Sequence, residues 1–145
     1  MTKLNWGVMG LGNIAQIFCE SFNDASNANL LGISSRNNEK LEKFKKKFNI
    51  DKKYCFDEYE KLFNCKEIDI IYIALPTPFH YEWIIKCIEA KKNILVEKPA
   101  VLNFEQMKNI YNKIIKTDLF FYEAFAYRFH PKINRVIELI NENII

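Results

Sequence analysis

Four short stretches of this sequence put chemistry-bearing residues at the ends of apolar runs. The first, Gly10-Leu11-Gly12-Asn13-Ile14-Ala15, reads G-x-G-x-x-A between an apolar run and a segment with helical spacing. There Gly10 permits a tight turn, Gly12 lets backbone approach a pyrophosphate, and Ala15 lets helix and strand come close. The N–H groups at the helix start then face the phosphates. Alone the pattern is weak, because glycines often occupy such turns merely for φ > 0. The second stretch, Ile33-Ser34-Ser35-Arg36-Asn37, has no acid before Glu39. Sites for NAD commonly place a carboxylate here, on the ribose 2′-OH, whereas an arginine suits a 2′-phosphate. The planar guanidinium of Arg36 can pair with phosphate and stack on adenine, and Ser35 adds a hydroxyl. NADP is therefore favoured over NAD; an ordinary surface arginine at a helix start is the alternative.

The third stretch is Leu75-Pro76-Thr77-Pro78-Phe79-His80. Two prolines stiffen it directly after the most apolar run of the chain, which suits a wall on the nicotinamide side. His80 falls in the first helical turn and reads as structural more readily than catalytic. The fourth is "NILVEKPA", where an apolar strand ends in Glu97, Lys98 and Pro99. An ammonium at that edge can donate to a substrate hydroxyl or carbonyl oxygen, or relay a proton. Glu97 would fix and charge-balance it, and Pro99 would set the turn, through a cis bond in a minority of such cases. On position alone, an exposed loop lysine is an equal reading.

These stretches need elements to hold them. Apolar runs predict strands over 3–9, 29–34, 53–56, 69–75, 93–97 and 119–123. Helical spacing predicts helices over 13–22, 37–48, 57–63, 79–90, 103–116 and 131–141. Asn103 is the expected N-cap of the fifth helix, with Gln106 as its box partner. Pro131 suits the first position of the last helix, where Ile133, Val136, Ile137 and Ile140 form one face. Strand and helix alternate six times, so the fold class is α/β, a doubly wound parallel sheet with helices on both faces. Right-handed crossovers give the order 3-2-1-4-5-6, with ligands outside the carboxyl ends of the strands.

The totals agree. The chain has 145 residues, 49% of them apolar, and a net charge of +3. That fits one domain with a sizeable core and supports neither a nucleic-acid nor a membrane partner. The run Lys45-Lys46-Lys47 lies among Leu41, Phe44 and Phe48 at helical spacing and reads as a solvated helix face. Cys19, Cys55, Cys65 and Cys87 show no C-x-x-C or zinc spacing, so no metal is expected. Buried, reduced thiols in a cytoplasmic protein are the simplest account.

Four stretches, "GVMGLGNIA", "SSRN", "YIALPTPFHYEWIIKCIEAKKNILVEKP" and "YEAFAYRFHP", resemble the Gfo/Idh/MocA oxidoreductases over nearly the whole chain. The last is most similar to the dihydrodiol dehydrogenase and glucose–fructose oxidoreductase branch, which favours NADP. The resemblance implies a Rossmann domain over 1–124, then a crossing segment and helix over 125–145 leading toward a second, substrate-binding domain. It implies that Lys98, with Glu97, is catalytic and touches the substrate. It also implies cofactor contacts from Gly10, Gly12, Asn13, Ile14, Ser35, Arg36, Leu75, Pro76, Thr77, His80, Glu97 and Lys98. Thr77 and Leu75 depart from the asparagine and threonine that many members carry there. Arg128 matches an arginine usually found on the substrate side, with a salt bridge that holds the crossing as the alternative. The implied substrate is a sugar, polyol or diol, and a separate second-domain chain is a possible partner. A dinucleotide-binding module without turnover is the runner-up. Six aromatics between Phe120 and Phe129 would be sticky if left uncovered.

Overall fold

The computed structural model describes residues 3–145. Six strands form one sheet: β1 (Leu4–Met9), β2 (Ala28–Ser34), β3 (Cys55–Phe56), β4 (Ile70–Ile73), β5 (Asn93–Val96) and β6 (Phe121–Glu123). Their order is β3-β2-β1-β4-β5-β6 and every pairing is parallel, as the alternation of the sequence predicts. The helices are α1 (Asn13–Glu20), α2 (Asn38–Phe48), α3 (Tyr59–Asn64), α4 (His80–Glu89), α5 (Phe104–Ile114) and α6 (Pro131–Asn141).

Register sets the working edge. Met9 pairs with both Ser34 and Ile73, Ile73 with Val96, and Val96 with Glu123. The residues one step further therefore stand in a row at the carboxyl edge: Gly10, Ser35, Ala74, Glu97 and Ala124. Backbone bonds continue into that row, from Gly10 N to Ser34 O (3.0 Å), Ala74 N to Met9 O (2.8 Å), Glu97 N to Ile73 O (3.0 Å) and Ala124 N to Val96 O (2.8 Å).

The core has two layers. On one face Met9, Ile71, Ile73, Ile94 and Val96 meet α3, α4 and α5 through Leu62, Trp83, Ile84, Cys87 and Ile110. On the other, Val8, Ile33 and Tyr72 meet α1 and α2 through Ala15, Cys19, Leu41 and Phe44. Each of the large aliphatic and Phe side chains among them contributes roughly 1.5–3 kcal/mol by leaving water. The coverage is unequal because crossovers are right-handed. Winding out from β1 to β3 lays α1 and α2 on one face, and winding from β4 to β6 lays α4 and α5 on the opposite one. The first face is thus left open over β4–β6, where Ile70, Leu95, Phe120 and Tyr122 line a surface cavity of about 730 Å³.

Several boundaries differ from expectation, each for a local reason. α1 stops at Glu20 and tightens into a 3-10 turn, Ser21–Asn23. β3 keeps only two residues, because Asp51 caps a 3-10 turn over Lys52–Tyr54. β6 begins at Phe121, since the N–H groups of Leu119 and Phe120 go to the side chains of Thr117 and Asn93. Asn103 caps α5 by accepting from Gln106 N (3.0 Å), but the Gln106 side chain answers to Leu102 N, one residue earlier than a capping box requires. The cysteines divide: Cys19 and Cys87 are buried, while Cys55 and Cys65, at the short β3 and the end of α3, are half-buried. The apolar face of α6 exists but is not buried; Ile137 is 50% and Ile140 53% exposed.

Candidate active site

The turn after β1 is built for glycine. Gly10 sits at φ +89°, and an added Cβ would lie 2.7 Å from Ala74 O and 2.8 Å from a Leu75 methyl. Gly12 is the N-cap of α1, with no side-chain cap bond, and an added Cβ there would meet nothing within 4 Å. The first N–H groups of α1 therefore look onto open ground that backbone alone borders, the arrangement that receives phosphate. Leu11, Ser35, Arg36, Leu75 and Pro76 close a cavity of about 410 Å³ around it. Ala15 is fully buried, which lets α1 lie close on the sheet.

At the end of β2, Arg36 lies over aromatic rings, with its guanidinium carbon 5.0 Å from the Tyr59 centroid and 5.7 Å from that of Trp83. Such stacking orients the guanidinium while leaving its N–H edge for a phosphate. These rings, with Leu75, Pro76 and Phe79, line a notch of about 100 Å³. Burial raises the phenol of Tyr59 above its ordinary range and keeps it neutral. Ser35 Oγ accepts from Asn37 N (3.1 Å), and Asn37 Oδ1 caps α2 by accepting from Lys40 N (3.0 Å). Sequence reasoning missed Tyr59, Trp83 and Lys40. Lys40 lines the same cavity as Gly12, as a second cation one helical turn beyond Arg36. That spacing was readable, whereas Tyr59 and Trp83 come from distant segments that only the fold brings together.

His80, named above both as a structural residue and as an implied cofactor contact, opens α4. It is only 1% exposed. Its Nε2 lies 2.6 Å from Leu75 O and its Nδ1 2.9 Å from Pro99 O. One ring N–H donates to one of these carbonyls, the tautomer deciding which, and the ring packs between the fourth-strand loop and the fifth. Pro76 caps the 3-10 turn Thr77–Phe79 that leads into α4. Thr77 lines none of the cavities described above.

Glu97 and Lys98 separate. Successive side chains of a strand point to opposite faces, and the Glu97 carboxylate follows Tyr72 and Leu95 toward the α1 face. Tyr72 donates to Glu97 Oε1 at 2.6 Å, and Lys98 N lies 3.3 Å from Oε2. Lys98 is exposed, and among the described residues its ammonium forms no ion pair. The expected charge balance between the two side chains is therefore absent; strand alternation sends them apart. The Lys98–Pro99 bond is cis. Ala100 N donates to Glu123 Oε1 (2.8 Å), so β6 supplies the anchor of this turn, a role the sequence did not reveal. Ile14, Phe18, Tyr72, Leu95, Glu97 and Tyr122 border an apolar cavity of about 350 Å³. Asn13 opens α1 and is exposed. Arg128 lies on the 3-10 turn Ala126–Phe129, exposed and without an ion-pair partner among the described residues. A salt bridge holding the crossing is not formed.

Among the described residues no helix is long and apolar enough to cross a membrane, and no group of three His, Cys, Asp or Glu could hold a metal ion. Residues 4–125 match the family described as oxidoreductases with an NAD-binding Rossmann fold. A trans-1,2-dihydrobenzene-1,2-diol dehydrogenase of Xenopus tropicalis is 31% identical over 142 residues, 97% of this chain and 42% of the relative. A myo-inositol 2-dehydrogenase of Thermotoga maritima is 28% identical over 96% of this chain and 41% of its own. Among solved structures, apo scyllo-inositol dehydrogenase from Lactobacillus casei superposes with a TM-score of 0.91 at 23% identity, covering 99% of this chain and 43% of that one. A 3-ketoreductase from Actinomadura kijaniata, solved with TDP-benzene and NADP, gives 0.91 at 24% identity over 99% of this chain and 45% of its own. The chain thus spans less than half the length of the relatives it matches.

Proposed function

The chain belongs to the Gfo/Idh/MocA oxidoreductase family, and on that footing we propose that it holds NADP for a dehydrogenase acting on a sugar, polyol or diol. The observation that carries the reading is the pairing of open ground at Gly12 with Arg36 stacked over Tyr59 and Trp83, one at each end of a single cavity. Backbone N–H groups at the start of α1 take the pyrophosphate. Arg36 and Lys40 take the 2′-phosphate, and Ser35 borders the ribose. Among the described residues no carboxylate lines the cavity at that end of β2 to claim a 2′-hydroxyl. When bound, the nicotinamide supplies the hydride acceptor or donor for the carbon bearing the substrate oxygen.

The chain's own part in the chemistry falls to Lys98. Its ammonium stands exposed at the carboxyl edge, with no carboxylate to neutralise it, where it can hold or give a proton at a substrate oxygen. His80, Pro76 and Glu123 hold the loops that aim it. The relatives extend well beyond the matched length, and a second domain, in the same chain or a separate one, would supply the remaining substrate contacts.

Calorimetric titration with NADPH and NADH tests the reading. Saturable NADPH binding at least about tenfold tighter than NADH is expected, which corresponds to ~1.4 kcal/mol. Arg36→Ala should erase that gap. Equal affinities that do not respond to Arg36→Ala would sink the NADP assignment, and no binding of either would sink the dinucleotide site. Lys98→Met in the assembled enzyme should leave NADPH affinity within about twofold and abolish hydride transfer. Retained turnover would remove Lys98 from the chemistry.

A further inference from the structure

We propose that the cavity beside Glu97 is a cation site that selects the oxidised, positively charged nicotinamide ring over the reduced, neutral one. The inference rests on the dinucleotide reading above and concerns its redox state. Among the described residues Glu97 is the only charged one that borders the cavity, and the other walls are almost wholly apolar: Ile14, Phe18, Leu95, Tyr122 and Phe129. Tyr72, 1% exposed, aims its hydroxyl at Glu97 Oε1 from 2.6 Å. Phe18 lies over the Tyr72 ring with centroids 4.0 Å apart and fixes it there. Among the described residues no lysine, arginine or histidine lies within 4.0 Å of the Glu97 carboxylate.

A carboxylate against an apolar wall without a counter-ion is costly, and the cost is relieved when a cation enters. The Tyr72 hydrogen bond orients the carboxylate but leaves its charge in place. Burial, and then the bond to Glu97, push the Tyr72 phenol above its ordinary range, so it stays a neutral donor. Aromatic faces from Tyr122 and Phe129, 5.8 Å apart, add an environment that favours cations. The cavity adjoins the start of α1 through Ile14 and reaches the carboxyl edge through Glu97 and Ala124. A nicotinamide ring reaching the edge from the phosphate turn meets it. The oxidised ring carries the positive charge this wall lacks, and the reduced ring does not. Lys98 opposes the effect from the next position, but it is exposed to solvent, where its field is screened. A preference of roughly tenfold is therefore expected rather than one of thousands. Tenfold tighter binding of the oxidised form lowers the potential of the bound two-electron couple by about 30 mV.

The test is the ratio of dissociation constants for NADP⁺ and NADPH at one ionic strength, for the wild-type chain, Glu97→Gln, Tyr72→Phe and Arg36→Ala. The wild type should bind NADP⁺ about tenfold more tightly. Glu97→Gln should bring the ratio near one by weakening NADP⁺ alone. Tyr72→Phe, which frees the carboxylate to turn away, should give an intermediate ratio. Arg36→Ala should weaken both forms equally and leave the ratio unchanged. A ratio that ignores Glu97→Gln, or tighter binding of NADPH by the wild type, overturns the inference while leaving the dinucleotide site standing. If neither form binds, the dinucleotide reading itself fails. The cavity is then decided by NMR titration with the 1-methylnicotinamide cation against neutral nicotinamide. Shifts at Ile14, Tyr122 and Ala124 for the cation only, lost in Glu97→Gln, uphold a cation site, and equal shifts overturn it.

Discussion

The adenosine end and the nicotinamide end of the carboxyl edge differ in how far this chain finishes them. At the adenosine end every group has a neighbour: Arg36 lies on Tyr59 and Trp83, Ser35 receives Asn37 N, and Asn37 caps α2. At the nicotinamide end Lys98 and Arg128 stand alone, Glu97 answers only to Tyr72 and its own loop, and Phe129 is 74% exposed. The first half is closed by helices on both faces of the sheet, and the second is open on one. The difference teaches where a Rossmann unit can work alone. The proposed hold on phosphates and a ribose draws on the turns after β1, β2 and β4, with Lys40 of α2, Tyr59 of α3 and Trp83 of α4. On the same proposal, groups outside this half choose the substrate.

The sharpest way to test this contrast is the pair of glycines in one turn. Gly10→Ala puts a methyl 2.7 Å from Ala74 O at φ +89°, at the switch point that both halves share. Strain plus backbone clash should cost roughly 2–4 kcal/mol, read from the urea midpoint. Gly12→Ala meets nothing within 4 Å, so it should lose only about 0.5–1 kcal/mol, as a poorer N-cap, while weakening the dinucleotide markedly. Stability loss of the same size at both positions would show that the open ground at Gly12 is not open.

His80 joins the two ends, because one ring spans the Leu75 and Pro99 carbonyls. His80→Ala removes the donor that one of these carbonyls uses, at ~1–3 kcal/mol. It should also uncouple the ends: protection of loop amides near Lys98 against hydrogen exchange falls, while NADPH affinity, set at the other end, changes less than about threefold. Unchanged protection near Lys98 would mean that the ring fills space and ties nothing.

In their response to base, by contrast, the two faces are alike. Burial lifts the thiol of Cys87, on the closed face under α4, to about 12, and that of Cys19, under α1, likewise to about 12. Cys65 and Cys55 are raised as well, burial again leading, but they are half-exposed. A raised folded value means that the unfolded chain loses the proton first. Stability is therefore complete below the ordinary value of 9.0 and falls as pH climbs toward 12. Between pH 9 and pH 10 each buried thiol should cost up to about 1 kcal/mol. Urea titrations across that range, repeated with Cys87→Ala, give the slope. At pH 8 a thiol reagent should label Cys65 and Cys55 first, and label Cys19 and Cys87 only on unfolding.

Much of this was legible in the sequence, and the rest failed for identifiable reasons. Alternating apolar runs and helical spacing are local, so six parallel strands and their order followed from them. The G-x-G-x-x-A turn and Arg36 lie beside the strands that position them, so one end of the site could be read directly. The partnership of Glu97 with Tyr72 depends on which face a strand-end residue takes, and adjacency in sequence suggested Lys98 instead. The anchoring of Ala100 by Glu123 depends on β5–β6 register. The stacking of Tyr59 and Trp83 on Arg36 unites three segments far apart in the chain. Non-local pairs of this kind leave no periodic trace.

The mildest prediction concerns α6, where pattern and burial disagree. The stripe Ile133, Val136, Ile137 and Ile140 is as regular as that of any buried helix here, yet three of its four residues are exposed. If this stripe contributed to the fold as the faces of α4 and α5 do, replacing Ile137 and Ile140 by lysine would cost several kcal/mol. Exposed positions change stability by less than ~0.5 kcal/mol each. The double variant should therefore keep its urea midpoint, and should differ instead in self-association measured by light scattering as concentration rises. A lowered midpoint would place α6 against the open face of β4–β6. The contrast between a finished and an unfinished half would then shrink to the loops that carry Lys98 and Arg128.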